Sequence, residues 1–365
     1  MATPRSLSSV LASLLLLSLF ACRCLGATNP EMMTRNNTTR ALKEIPKISA
    51  VMLTTSKDTR VFETGLKSCL KYLVDVDKFY VITPDYKDVK EKYGAILGER
   101  VIFVDEKIGF PFNMEKVGDV MYNTVKEHGT YPLDDGKSQF EKTLWGKLGW
   151  FLQQLLKIYA GNVLKLEDYV LLDSDCVWHR EVSFISKNQE DGKPTKYYYT
   201  TSTQYHPPYI ATMKRVAGVD TFQSSKDERF RSGVVHHMVL SKDVLSDLFE
   251  TSEKLHSPLP FWQVMLNQSA LEMTCRAPRA GICGAGSTLS EYELYFNFAR
   301  VKHPDTVELR PLLWANGPMP GMLYWPDPAG KFRGVKEDVA LYRGYLSQCG
   351  VLHWKAVIFF RHILQ

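Results

Sequence analysis

LWGKLGWFLQQLLKIYA (residues 144–160) and, shortly after it, DYVLLDSDCVW (168–178) decide how this chain folds. In the first stretch Leu144, Leu148, Phe151, Leu152, Leu155 and Tyr159 recur at the i, i+3, i+4 spacing of one helix face. Trp150, Gln153, Gln154 and Lys157 form a stripe on the opposite face, and Gly161 is expected to stop the helix as a C-cap. A stripe of glutamines and lysine alone reads as a solvated helix back; Trp150 within it asks for a partner. In the second stretch four apolar residues, Tyr169–Leu172, predict a buried strand that delivers Asp173 and Asp175 at its C-terminal end. Residues two apart in extended chain point to the same side, so both carboxylates can meet one cation. Mg²⁺ takes one or two carboxylates and completes its shell with phosphates and water. Two aspartates capping the next element would have the same sequence.

Working outward, ISAVMLTT (48–55), FYVIT (79–83) and VIFV (101–104) are short apolar runs separated by helical spacing, as over 58–74. Strands apolar on both faces and separated by helices predict an α/β, Rossmann-like domain with a central, mostly parallel sheet flanked by helices. In such open sheets ligands bind outside the carboxyl ends of the strands. No GxGxxG or GxxxxGK[ST] follows the first strand, which argues against a dinucleotide fold with its usual phosphate loop and against a P-loop ATPase.

The ordering Gly149-Trp150, Gln153-Gln154, Lys157, apolar strand, Asp173-Ser-Asp175 resembles metal-dependent glycosyltransferases of the GT-A fold. Taken with SEYELY (290–295), it is similar to an uncharacterised glycosyltransferase-like domain family known mainly from microbes. The resemblance covers about residues 47–300. It implies a nucleotide-sugar donor bound across the sheet through a divalent cation, usually Mn²⁺, with Trp150, Gln153, Gln154, Lys157, Asp173 and Asp175 on the donor side. Lys157 is then expected to offset the diphosphate charge.

The second half of the chain is read as the acceptor side, for a glycan, glycoprotein or lipid. His206 ends a polar, aromatic loop after Tyr197–Tyr199, and His236 and His237 precede an apolar run. Either of these two histidines reads equally as a core residue bonded to backbone. Trp262 and Tyr292 offer aromatic planes for a sugar face, although a buried Trp is the commoner state. Ser290 and Glu293 read as a capping box opening a helix. That leaves Glu291 as the candidate catalytic base, which must come within hydrogen-bond reach of the acceptor hydroxyl. His353 is a candidate third metal ligand, since some GT-A enzymes use a late histidine; His303 is its rival. The apolar tail 357–364 is expected as a final helix.

Residues 1–27 place Arg5 before an apolar run that ends in small residues, the layout of a signal peptide, with a signal anchor as the alternative. The run is short of the roughly 20 residues a span needs. Residues 28–46 are expected as a flexible stem, and 47–365 as the GT-A-like domain. Sequons at Asn36, Asn37 and Asn267 fit a secretory chain in the Golgi or ER lumen, or a secreted one. Membrane contact is expected only if the anchor stays uncleaved. Beyond Cys22 and Cys24 in the leader five cysteines remain, with Cys275 and Cys283 the pair expected to bridge in an oxidising lumen. The net charge of +5, spread without a basic block, argues against nucleic acid. With 45% apolar and 23% charged residues the chain is neither disordered nor a many-pass membrane protein. Two functions from different classes follow: a metal-dependent glycosyltransferase, or a non-catalytic carbohydrate-binding or scaffold protein on the same fold. A metal-dependent phosphotransferase or hydrolase would need a nucleophile or second metal cluster that the sequence lacks.

Overall fold

Apolar residues on both faces put β1 (Ile48–Leu53) inside a sheet rather than at its rim, and Ala50, Val51 and Met52 are fully buried there. A computed structural model describes residues 47–56, 58–128, 136–178, 180–187, 194–202, 205–221, 231–273, 287–310, 312, 314–316 and 351–353. The leader, the stem, Asn36, Asn37, Cys275, Cys283 and the 357–364 tail lie outside the described residues.

Helix α1 (Thr59–Tyr72) leads to β2 (Val76–Thr83), and α2 (Tyr86–Leu97) leads to β3 (Val101–Asp105). After α3 (Met114–His128) and α4 (Gly136–Leu164) the chain enters β4 (Asp168–Asp173). The central five-stranded sheet has the order β3-β2-β1-β4-β8, parallel except for β8 (His237–Ser241), which runs antiparallel to β4. It is the mostly parallel, helix-flanked α/β sheet that the strand pattern predicts. The order grows outward from β1 through β2 to β3, then returns to β4 on the other side. Strand order therefore reverses between β1 and β4, the place where open α/β sheets form their ligand crevice. Register sets Asp173 opposite Leu53 at that point.

Two smaller sheets border the main one. β5 (Cys176–Trp178) is antiparallel to β11 (Val351–His353), which pairs with β10 (Trp314–Asn316). β7 (Pro194–Tyr199) joins β6 (Ile185–Lys187) to β9 (Val307–Leu309). Helices α5 (Pro207–Ala217), α6 (Lys242–Leu255), α7 (Phe261–Met273) and α8 (Glu291–Lys302) complete the described fold. The Asn267 sequon lies within α7, where its Oδ1 accepts from Thr124 at 2.7 Å and Ser269 is buried.

Helix α4 departs from expectation at both ends. It begins at Gly136 rather than Leu144, and Gly161 does not cap it. The helix runs on to Leu164, after which Lys165 takes a left-handed φ of 58°. Gly161 serves close packing instead: a Cβ there would stand 2.7 Å from the Tyr169 ring. The ring passes over the bare backbone so that its hydroxyl can donate to the Lys157 carbonyl at 2.8 Å, fastening α4 to β4. Gly161→Ala is expected to cost about 1–3 kcal/mol, the usual range for overpacking a filled core. A urea midpoint unchanged from the parent would show that the Tyr169 ring has room to give way.

Candidate functional site

Lys157, one turn before Gly161, is buried, and burial alone disfavours an ammonium. Its Nζ donates to Asp173 Oδ1 at 2.5 Å and to Glu291 Oε1 at 2.7 Å. Desolvation would lower the pKa of this amine, yet the two carboxylates outweigh it and hold it above the ordinary lysine value. The ammonium also lies 4.8 Å from the centre of the Tyr292 ring. For Glu291, burial pushes the carboxyl above its usual range while Lys157 draws it back.

Asp173 collects more donors. Tyr292 Oη donates to Oδ1 at 2.9 Å, and His236 Nδ1 lies 2.8 Å from Oδ2. A carboxylate only accepts, so the imidazole hydrogen sits on Nδ1. The Asp173 amide meanwhile donates to the His236 carbonyl at 3.0 Å. Both oxygens of Asp173 thus carry protein donors.

The predicted stripe explains how α4 reaches this point. Trp150, Gln154 and Lys157 sit three and four residues apart, so they line one face. Trp150 Nε1 donates to the Leu289 carbonyl at 3.0 Å, and Gln154 Oε1 accepts from the Glu291 amide at 3.2 Å. The stripe is a rail for the start of α8, not a solvated back. Gln153, the fourth member, is half-buried beside it. Lys157 is correspondingly committed to two carboxylates and is not the open charge expected to meet a diphosphate.

The aspartate pair is also arranged differently from the expected alternation. Asp173 ends β4, and Ser174-Asp175 is a turn before β5, so strand geometry does not carry Asp175 to the same side. The turn rests on α1: a Cβ on Gly65 would lie 2.8 Å from the carbonyl oxygens of both Ser174 and Cys176. Ser68 Oγ accepts from the Trp178 amide at 2.8 Å, fixing the far side. Register places His353 opposite Cys176, the neighbour of Asp175 in the chain. Among the described residues no group of three metal-ligating side chains is assembled.

Other expected site residues fall elsewhere. Glu291 is 2% exposed and ion-paired, so in this arrangement it cannot reach an acceptor hydroxyl; it is the counter-charge of Lys157. Tyr292 is at the site, but its ring is buried and its hydroxyl serves Asp173 rather than offering a sugar platform. Trp262 is buried against Phe112, with ring centroids 5.9 Å apart, a core residue. His237 is a core histidine: its Nδ1 lies 2.8 Å from the Val235 carbonyl, and its ring packs on Trp178 and Phe184. Burial lowers its pKa to about 3. His206 bonds the Ser287 carbonyl at 2.9 Å, beside the segment that leads into α8. His303 is occupied with Asp247 at 2.8 Å. Ser290 caps α8 as expected, accepting from the Glu293 amide at 3.3 Å. The reciprocal half of the box is absent, because Glu293 accepts from Ser232 Oγ at 2.5 Å and Asn297 Nδ2 at 2.8 Å instead. His236 is the residue that sequence reasoning underrated, since nothing in Val-Val-His-His-Met tells which histidine turns out of the core.

The matched family model spans residues 45–308 and is described as DUF6492, a family of unknown function. No curated protein matches the chain. Among solved structures, the apo crystal structure of mouse xyloside xylosyltransferase 1 aligns with a TM-score of 0.38 and 12% identity, covering 84% of this chain and 97% of that one.

Lys157→Met would leave Glu291 and Asp173 without their shared counter-charge, and is expected to cost about 3–5 kcal/mol at pH 7. Because the Glu291 carboxyl is raised in the fold, the folded state takes up its proton first. The variant should therefore regain stability as pH falls from 7 toward the carboxylate range, and Lys157→Met/Glu291→Gln should regain it at pH 7. Urea melts across that range check this; a Lys157→Met protein as stable as the parent contradicts it. His237 works in the opposite sense. It stays neutral in the fold down to about 3 but protonates near 6.5 when unfolded, so its contribution is intact above 6.5 and lost as pH falls toward 3. His237→Phe should flatten the parent's loss across that window in the same melts.

Proposed function

We propose that this chain, which belongs to the DUF6492 family, is a glycosyltransferase of the secretory pathway that moves a sugar from a nucleotide-sugar donor to a glycan, glycoprotein or lipid acceptor. The observation that carries the reading is Asp173, held by Lys157, Tyr292 and His236 at the carboxyl end of β4, where strand order reverses. The motif resemblance of residues 149–175 supplies the chemistry.

A Mn²⁺ or Mg²⁺ ion is the cofactor of this reading, with Asp175 its carboxylate in the turn after β4 and His353, paired in register with Cys176, the candidate further ligand. At Asp173 a cation would compete with the protein donors Lys157, Tyr292 and His236. When bound, the ion supplies the positive charge that a departing nucleoside diphosphate needs. The chain's own residues do the holding. Lys157 fixes Asp173 and the start of α8, Gly65 lets α1 support the turn that carries Asp175, and His206 stands where an acceptor could meet the Ser287–Ser290 segment. One observation favours the carbohydrate-binding alternative: Glu291 is locked to Lys157 and offers no base.

Binding and turnover separate the two. The purified chain should show a Mn²⁺-dependent rise in melting temperature with UDP or GDP, and slow hydrolysis of one sugar nucleotide from a donor panel. Binding without hydrolysis would favour the non-catalytic reading. No response to any nucleotide would overturn the donor site itself.

A further inference from the structure

We propose that His236 is a positioning residue of this site, kept in a strained backbone conformation so that it can grip Asp173 twice; the site's role in donor binding rests on the reading above. Its φ is 64°, one of two positive values among the described non-glycine residues. Left-handed backbone is costly for a residue with a Cβ, and such strain gathers where a site demands it.

The surroundings show what imposes it. Ser232, at the start of this segment, pairs with Ser202 and donates its hydroxyl to Glu293 of α8. Gly233 lies against α8 so closely that a Cβ would stand 2.4 Å from Phe296 Cβ and 2.6 Å from the Tyr292 carbonyl oxygen. At the other end His237 enters β8 opposite Leu172, with its ring in the core. Between these fixed points the chain bends over Val235 and His236, and His236 takes the left-handed conformation.

The turn aims both polar ends of the residue at the same neighbour. The His236 carbonyl accepts from the Asp173 amide at 3.0 Å, and Nδ1–H donates to Asp173 Oδ2 at 2.8 Å. The carbonyl also accepts from Cys176 Sγ at 3.5 Å, so one peptide group touches both sides of the Asp173-Ser-Asp175 turn. Lys157 and Tyr292 meet Oδ1 from α4 and α8, and His236 meets Oδ2 from the residue just before β8. The carboxylate is thus gripped from α4, from α8 and from the segment entering β8, and the His236 contact is the one that sets its rotation about the Oδ1 contacts.

Glycine and asparagine separate backbone from side chain. His236→Gly accepts the positive φ without strain and removes the ring, whereas His236→Asn tolerates the same backbone and puts an amide nitrogen where Nδ1 stood. Crystal structures of the parent and both variants of the full chain, with melting temperature and affinity for UDP and GDP in Mn²⁺, form the test. In His236→Gly the melting temperature should hold or rise while the Asp173 carboxylate rotates by more than 30° from its parent position. Affinity for whichever nucleotide binds the parent should fall at least tenfold. His236→Asn should restore the carboxylate to its place and bring affinity within about threefold of the parent. An Asp173 carboxylate that stays in place in His236→Gly overturns the proposal, as does failure of asparagine to restore it. The carboxylate position decides this even if the parent binds neither nucleotide, a result that would overturn the donor reading and leave the positioning result standing.

Discussion

A lysine ammonium buried between two carboxylates is the constraint around which the described fold of this protein is arranged. Removed from water, the charge on Lys157 is tolerable only while Asp173 and Glu291 stay within hydrogen-bond distance. Those three side chains come from the consecutive elements α4 and β4 and from α8, far along the chain. Holding them together fixes the end of the sheet against the start of a helix that lies more than a hundred residues away. Breaking one pair would strand a charge in a place that water does not reach.

The packing nearby reads as a set of accommodations to that constraint. Gly161 is bare so that Tyr169 can cross to the Lys157 carbonyl; Gly65 is bare so that the Ser174–Cys176 turn can rest on α1; Gly233 is bare so that the His236 segment can lie on α8. Trp150 and Gln154 extend the grip along α4 to Leu289 and Glu291. Together these contacts tie α1, α4 and α8 to β4 and to the segments that flank its carboxyl end. A carboxylate fixed from three sides at such a place is suited to ligand recognition, because little ordering remains to be done when a ligand arrives.

The parts legible in the sequence were those with a period. The parallel strands announced themselves as short apolar runs, and the α4 face followed the helical repeat closely enough to single out Trp150, Gln154 and Lys157. Asp173 was legible because a buried strand has to end somewhere, and a carboxylate at that end is conspicuous. What the pattern could not carry was pairing across the chain. Nothing near Lys157 says that its partner is Glu291, so in the sequence the lysine reads as open and the glutamate as a base. Gly161 reads as a stop because a glycine after a helical run usually is one; its real partner, Tyr169, is eight residues on and belongs to a strand. The two adjacent histidines show the same limit. The bend before β8, where His236 has a left-handed φ, sends His237 into the core and His236 to the carboxylate.

The proposed ligand site lies at the carboxyl end of β4, beside Asp173 and His236. Hydrogen–deuterium exchange with UDP or GDP and Mn²⁺ measures this directly on the intact chain. Slowed exchange in peptides covering 168–178 and 231–240 is the result expected. Protection confined to other peptides, or exchange unchanged throughout, would contradict it.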